Sequence, residues 1–200
     1  TLFFSLVTKS PSGAISQPNG VVAPIRLTNI PAEGRDITVT LPAVILDAAV
    51  GDTVAIGISS TSLTALTITN AASAAFSGSI HTNNLTITDT TNDGFVRFLG
   101  NLTVNTGMTV SPNGAYNVEI LELSNVAGQT TFGNSGLLTL GNAGSDVFNF
   151  TGGIIATNPS AINLIGTITA AGPGVITLGD SITAINMKNG SGAVGGTSTG

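Results

Sequence analysis

The 200-residue chain has no cysteine, no tryptophan, one histidine and one tyrosine. The missing cysteines exclude disulfides, thiol catalysis and cysteine metal sites. The single histidine, His81, leaves little for a zinc site or a histidine-based catalytic relay. Charged residues make up only 8% of the chain, against about 25% in an average soluble protein. Five basic residues (Lys9, Arg26, Arg35, Arg97 and Lys188) stand against ten acidic ones, for a net charge of −5. That balance argues against a nucleic-acid partner, which calls for a basic patch. No apolar run approaches the roughly 18 residues of a membrane-spanning helix. Hydrophobic residues nevertheless reach 42%, so the chain is not a charged disordered tail. What fills it is Gly, Thr, Ser, Asn, Ala, Ile, Leu and Val, a composition for β-structure with many tight turns and few groups for chemistry.

The chain starts at Thr1 rather than Met, which leads one to expect a processed or excised product of something longer. Leu2-Phe3-Phe4-Ser5-Leu6-Val7 is too short for a signal-peptide core, has no basic residues before it, and reads as a strand.

Internal repetition is the sharpest signal. Leu66-Thr67-Ile68, Leu85-Thr86-Ile87, Leu102-Thr103-Val104 and Leu138-Thr139-Leu140 share one apolar-Thr-apolar motif, and Leu121-Glu122-Leu123 falls between the last two. The starts at positions 66, 85, 102, 121 and 138 are nearly evenly spaced, and Ile176-Thr177-Leu178 follows two such steps later. A second column, Phe76, Phe95, Phe132 and Phe150, with Ile168 after it, runs half a period out of phase. Near residue 113 the column is interrupted by Ser111-Pro112-Asn113-Gly114, a turn sequence.

Apolar-x-apolar triplets put two side chains on one face of a strand. They lack the three-and-four spacing of a helix. A period of about 18 residues is too short for a propeller blade or a helix pair and suits one rung of a parallel β-solenoid. Leu66, Leu85, Leu102, Leu121 and Leu138 are then expected to stack in one interior column, and Phe76, Phe95, Phe132 and Phe150 in another. Residues 61–189 would give roughly seven rungs spaced about 4.8 Å apart. Period alone does not fix strand direction, so an antiparallel β-sandwich is the fallback. Residues 1–60, interrupted by Pro11, Pro18, Pro24, Pro31 and Pro42, read as an irregular β cap over the open end. Residues 190–200 read as a Gly/Ser/Thr-rich tail or linker.

The stretches Thr131-Phe132-Gly133-Asn134 to Leu137-Leu138-Thr139-Leu140-Gly141, Asp146 to Gly153, and Ile162 to Thr169 resemble the repeat style of filamentous-haemagglutinin-like adhesins and autotransporter passengers. The resemblance covers about two-thirds of the chain. It implies a right-handed parallel β-helix, a secreted bacterial protein, and a role in adhesion or surface architecture.

The densest polar cluster is His81, Asp89, Asp93 and Arg97. Two carboxylates on one groove would be needed for glycoside hydrolysis, but Asp89-Thr90-Thr91-Asn92-Asp93-Gly94 reads as a turn and His81 as an exposed loop residue. Gly141-Asn142-Ala143-Gly144-Ser145-Asp146-Val147-Phe148 approaches the calcium nonapeptide of β-helices. A single copy cannot supply the several oxygens calcium needs, so a structural turn is expected and no metal or cofactor is assigned. The sequons at Asn84, Asn101, Asn149 and Asn189 read as by-products of an Asn- and Thr-rich chain. Gly172-Pro173-Gly174 is a turn, and Glu119 and Glu122 are expected to face solvent.

The expectation is a non-enzymatic extracellular or cell-surface module, an adhesin shaft. Its partners would be copies of itself or flanking parts of a longer chain, with surface glycans or proteins as further partners. The alternative is a self-assembling filament or layer subunit, joined through a strand at Leu2, Phe3, Phe4 and Leu6. A third reading is a carbohydrate-active β-helix of tailspike type.

Overall fold

A computed structural model of the chain describes residues 63–196 except 71–72, 77, 89–93, 113 and 172, together with six shorter strands nearer the N-terminus. In chain order the strands are β1 (Phe3–Phe4), β2 (Ser12–Ser16), β3 (Ile25–Thr28), β4 (Asp36–Thr40), β5 (Ala43–Asp47), β6 (Thr53–Ile56) and β7 (Leu63–Asn70). They continue with β8 (Ser73–Phe76), β9 (Ile80–Ile87), β10 (Phe95–Phe98), β11 (Leu102–Val110), β12 (Asn117–Ile120) and β13 (Ser124–Val126). The last seven are β14 (Thr130–Phe132), β15 (Leu137–Leu140), β16 (Val147–Phe150), β17 (Gly153–Ala156), β18 (Ala161–Ala170), β19 (Val175–Leu178) and β20 (Ala184–Gly196). No helix occurs among the described residues.

Every pairing between these strands is parallel, so the chain is a parallel β-solenoid and the antiparallel alternative fails. Each coil presents three strand-bearing sides. The first carries β8, β10, β12, β15 and the starts of β18 and β20. The second carries the starts of β9 and β11, then β13, β16 and the ends of β18 and β20. The third carries the ends of β9 and β11, then β14, β17 and β19.

The coil is longer than the spacing of the sequence motifs. On the first side Ala74, Val96, Val118, Leu138, Ile162 and Ile185 are successive partners. The repeat is about 22 residues, and the shaft has about five turns rather than seven.

The single leucine column does not form. Leu66 and Leu85 are partners, but Leu85 is followed by Met108. Leu102 stands on the second side between Ile80 and Ser124, and Leu138 on the first between Val118 and Ile162. Leu121 lies at a corner outside the ladder. All three sides are built from the same apolar-x-apolar triplet, so the distance from one triplet to the next similar one hops between sides instead of returning to the same side.

The phenylalanines are reassigned for the same reason. Phe98, not Phe95, stacks on Phe76, with ring centroids 5.0 Å apart and planes 10° apart. Phe95 points outward on β10. Phe132 and Phe150 sit on different sides and meet across the interior edge to face, 6.3 Å apart at 84°, a favoured aromatic geometry. The interior of the described coils is almost wholly apolar, with Phe76, Phe98, Phe148, Phe150, Ile120, Leu140 and Leu164 fully buried. At the corner after Ser111-Pro112, Tyr116 is buried and donates its hydroxyl to the Ser111 carbonyl at 2.8 Å.

Strands also pair in parallel among the described residues of 1–60 and 190–196. In the stretch expected to form an irregular cap, β3 pairs with β5, β5 with β7 and β6 with β8, all in parallel, while β2 and β4 form a separate parallel pair. In the expected linker, Gly192 to Gly196 partner Gly166 to Ala170 as the end of β20. A Gly/Ser-rich segment can add a strand where a preformed neighbour supplies every hydrogen bond.

Two kinds of substitution probe this interior. Phe98→Ala removes one ring of the stacked pair and is expected to cost about 3–5 kcal/mol of unfolding free energy. Ser124 Oγ and Thr130 Oγ1 point into the core without a protein partner. Thr130→Val is therefore expected to be neutral or stabilising, by up to about 1 kcal/mol. Denaturant titration followed by circular dichroism checks both.

Candidate functional site

In each strand the residues between the buried ones point outward, so the parallel ladder also builds outward columns. On the third side Thr67, Thr86, Thr109 and Thr131 are successive partners, followed by Ile155 and Thr177. On the first side the column is Ala75, Arg97, Glu119, Thr139, Asn163 and Asn186. Asn186 Nδ2 donates to Asn163 Oδ1 at 3.1 Å. On the second side, Asn125 and Asn149 are partners, and Thr169 donates its hydroxyl to Asn149 Oδ1 at 3.4 Å.

Of the polar group His81, Asp89, Asp93 and Arg97, only His81 and Arg97 are described. Asp89 and Asp93 lie outside the described residues. His81 and Arg97 point outward from different sides. His81 is a half-buried residue of β9 rather than a loop residue, because the strand runs unbroken from Ile80 to Ile87. Its Nε2 lies 3.0 Å from Asn105 Nδ2, which also donates to Asn83 Oδ1 at 3.0 Å. Arg97 instead makes a bidentate pair with Glu119, Nε to Oε2 at 2.5 Å and Nη2 to Oε1 at 3.0 Å. Its guanidinium also lies 4.4 Å from the centre of the Phe95 ring. The hydrogen bond to Glu119, opposed by partial desolvation, raises the Arg97 pKa above its ordinary value. Glu119, expected to face solvent, points outward between two buried residues and is engaged by Arg97. Glu122 stands half-buried at the next corner.

The Gly141–Phe148 segment is a tight corner. Asp146 is buried, and its Oδ2 accepts the backbone N–H groups of Asn142 at 2.9 Å and Ala143 at 2.8 Å. Its carbonyl accepts the Thr167 N–H of the next coil at 2.8 Å. Gly141 has a φ of 89° and Gly166 a φ of 108°. A Cβ at Gly141 would meet the Ile165 carbonyl oxygen, and one at Gly166 the Asp146 carbonyl oxygen. One carboxylate oxygen is thereby committed to shaping the turn. Among the described residues no three histidine or acidic side chains converge to hold a metal.

Of the sequon asparagines, Asn84 and Asn101 are exposed, Asn149 is half-buried, and the side chain of Asn189 lies outside the described residues. Gly172 also lies outside them, while Gly174 closes a turn onto Ala171 at 3.3 Å. At the strand expected to donate in assembly, Phe3 and Phe4 pair with Arg26 and Leu27 of the same chain. Leu2 and Leu6 lie outside the described residues.

Two features carried no signal in the sequence. The first is a small cleft of about 140 Å³ where the second side turns into the third, lined by Thr103, Asn105, Asn125 and Thr151 around Val104, Val126 and Ala127. Close to it, β11 shifts register against β9 between Val104 and Gly107. That bulge places Asn105 and Thr106 outward at the corner, a use typical of bulges. Only the true coil register brings these residues together, and their sequence spacing does not reveal it. The second feature is the apolar far end. Ile185 is 44% and Met187 47% exposed, although their partners one coil back, Ile162 and Leu164, are fully buried. Val175 and Ile182 are 62% and 87% exposed. Beside them, Asp180 Oδ1 accepts from the Ile182 and Thr183 backbone and the Thr183 hydroxyl at 2.9–3.0 Å. The Ile182 N–H, then the Thr183 hydroxyl, holds the Asp180 carboxyl below the usual carboxylate range.

Comparison of the chain with protein-family models, with curated proteins and with solved structures yields no match.

Two measurements follow from the carboxylates. Asp146→Ala removes the acceptor of two part-buried backbone hydrogen bonds and is expected to cost about 1 kcal/mol in chemical denaturation, whereas Asp146→Asn keeps an acceptor and costs less. For Asp180 the folded pKa lies below the unfolded one, so its contribution is present above the unfolded value and lost as pH falls through the folded one. The Ile182 and Thr183 amide resonances are expected to shift with a midpoint below about 3.9, the ordinary aspartate value.

Proposed function

We propose that this chain is a non-enzymatic structural module, a stretch of shaft from a secreted or surface-attached bacterial adhesin. The carrying observation is the parallel ladder with an almost wholly apolar interior. An unbroken backbone ladder resists local opening, and therefore proteolysis, along its length. Each further coil extends the shaft without changing the interior. The described outward columns are mostly threonine and asparagine, and the best-formed charged contact, Arg97–Glu119, joins two coils. A partly exposed pair of this kind adds at most about 1 kcal/mol, so it acts as a brace on the first side. The repeat style shared with filamentous-haemagglutinin-like exoproteins supports the same reading, with the outside of the cell as its place of work.

Self-assembly into a filament is the second reading, and the apolar far end favours it. Ile182, Ile185 and Met187 would be covered by the next coil of a longer shaft or by another copy. Because Phe3 and Phe4 are paired within their own chain, filament contacts would involve the face of the terminal coil more than a donated β1.

Negative-stain microscopy and sedimentation velocity test both readings. A shaft segment is expected as short uniform rods that withstand protease, with some end-to-end pairs. Ile185→Lys combined with Met187→Lys is expected to abolish those pairs with the circular dichroism unchanged. Regular long polymers that disappear in the double variant would favour the filament subunit. A compact protease-sensitive particle would overturn both.

A further inference from the structure

We infer that Met187 is an oxidation site through which peroxide converts the apolar far end of the shaft into a polar one. The site itself stands on composition and exposure. Only its effect on assembly rests on the end-to-end contact proposed above.

The chain offers a two-electron oxidant very few targets. It has no cysteine and no tryptophan, and its two methionines are Met108 and Met187. A thioether reacts with peroxide according to its exposure. Met108 is 2% exposed and faces the interior of the third side, where its ladder partner is Leu85. Met187 is 47% exposed. The single tyrosine, Tyr116, is fully buried. Among the described residues, Met187 Sδ is therefore the atom that peroxide reaches first.

Its position gives the reaction a consequence. Ile185 and Met187 are two residues apart on β20, so they share one face of the strand. They continue the inward columns of Ile162 and Leu164. Val175 and Ile182 are exposed near by in the sequence. Met187 thus belongs to an apolar surface and not to the threonine and asparagine columns on the outside.

In the reaction a lone pair on Sδ attacks one oxygen of hydrogen peroxide. An S–O bond forms and the O–O bond breaks. The departing hydroxide takes the proton from the transferred oxygen and leaves as water. Sulfur loses two electrons and the peroxide gains them. The product is a sulfoxide, a polar hydrogen-bond acceptor where the side chain had been apolar. Covering it with an apolar face strips its water and supplies no donor in return, which is unfavourable. The ladder itself is untouched, because Met187 and Leu164 pair through backbone groups. Oxidation thus changes the character of the surface while the coil keeps its register. Reduction by a thiol-dependent methionine sulfoxide reductase, with two thiols leaving as a disulfide and the oxygen as water, restores the thioether.

Mild hydrogen peroxide treatment of the intact chain tests the site, with peptide mass spectrometry to locate the added oxygen. Met187 is expected to be oxidised at least about tenfold faster than Met108, whose sulfur reaches solvent only when the coil opens. In denaturant the two rates are expected to converge. Binding of the apolar dye anilinonaphthalene sulfonate, which reports exposed hydrophobic surface, is expected to fall on oxidation with the circular dichroism unchanged. End-to-end pairs in sedimentation velocity are expected to weaken at least about tenfold. Met187→Leu, which has no sulfur at this position, is expected to remove the response of both dye binding and pairing to peroxide. Oxidation of Met108 as fast as Met187 in the folded chain overturns the site. So does dye binding that is unchanged at full oxidation of Met187, or a peroxide response that persists in Met187→Leu. An untreated chain that forms no pairs counts against the end-to-end contact alone, and the dye measurement then decides the switch.

Discussion

In a parallel ladder the backbone N–H and C=O groups of each strand are satisfied by the coils on either side of it. That condition governs the chain from β7 to β20. Residues may be added to or removed from a coil only where no ladder bond is at stake, at the corners. The step on the first side is accordingly shorter from Val118 to Leu138 than from Leu138 to Ile162, and where one strand rounds a corner, as β11 does against β9 and β20 against β18, the register shifts at the corner. The Gly141–Asp146 turn lies in one of the longer excursions, between Ser124 and its partner Phe148. Its extra backbone is tied by the Asp146 carboxylate. The turn is an insertion made harmless because it satisfies its own donors.

The inward columns follow from the same constraint. Once the ladder fixes which residues lie above one another, each interior position must tolerate the shape of its neighbours one coil away. Phe76 and Phe98 stack flat because they share a column. Phe132 and Phe150 do not share one, and they meet edge to face. Ser124 between Leu102 and Phe148 and Thr130 opposite Ile154 are polar exceptions within one coil. Their hydroxyls have no protein partner. Asn134 is half satisfied: its Oδ1 also has no protein partner, but its Nδ2 reaches the Tyr116 carbonyl at 3.0 Å, and one coil on Asn158 donates to the Gly133 carbonyl at 3.1 Å. Both fasten a corner to the coil before it.

Much of this is legible from the residues, and the part that is not has one cause. The apolar-Thr-apolar triplets mark strands, and their recurrence without helical spacing marks a solenoid. The true period is hidden because Leu66, Leu102 and Leu138 belong to three different sides, each using the same triplet. Spacing between similar motifs then measures arc length around the coil, not the return to one face. Matching Phe76 with Phe98 rather than with Phe95 gives the period directly, since those two rings are the ones that stack. The cleft is illegible for a related reason. Asn83, Asn105, Asn125 and Thr151 look ordinary in a chain rich in such residues, and only the true register with the β11 bulge places them at one corner. The turn at Asp146 is readable because its chemistry is local: a carboxylate a few residues after a glycine-rich start finds its own backbone.

A ladder of this kind has no internal reason to stop. Each coil buries the apolar face of the one before it and exposes its own, so the exposed Ile185 and Met187 stand where Ile162 and Leu164 stood one coil earlier. Growth ends only when a coil carries polar inward residues or when something else covers it. The inward positions of β20 are still apolar at Ile185 and Met187, and its Gly192–Gly196 segment still follows the register of β18. The last described coil is thus written as an interior coil. The last described coil and the coils before it are in this sense built alike, since Ile185 and Met187 continue the inward columns of Ile162 and Leu164.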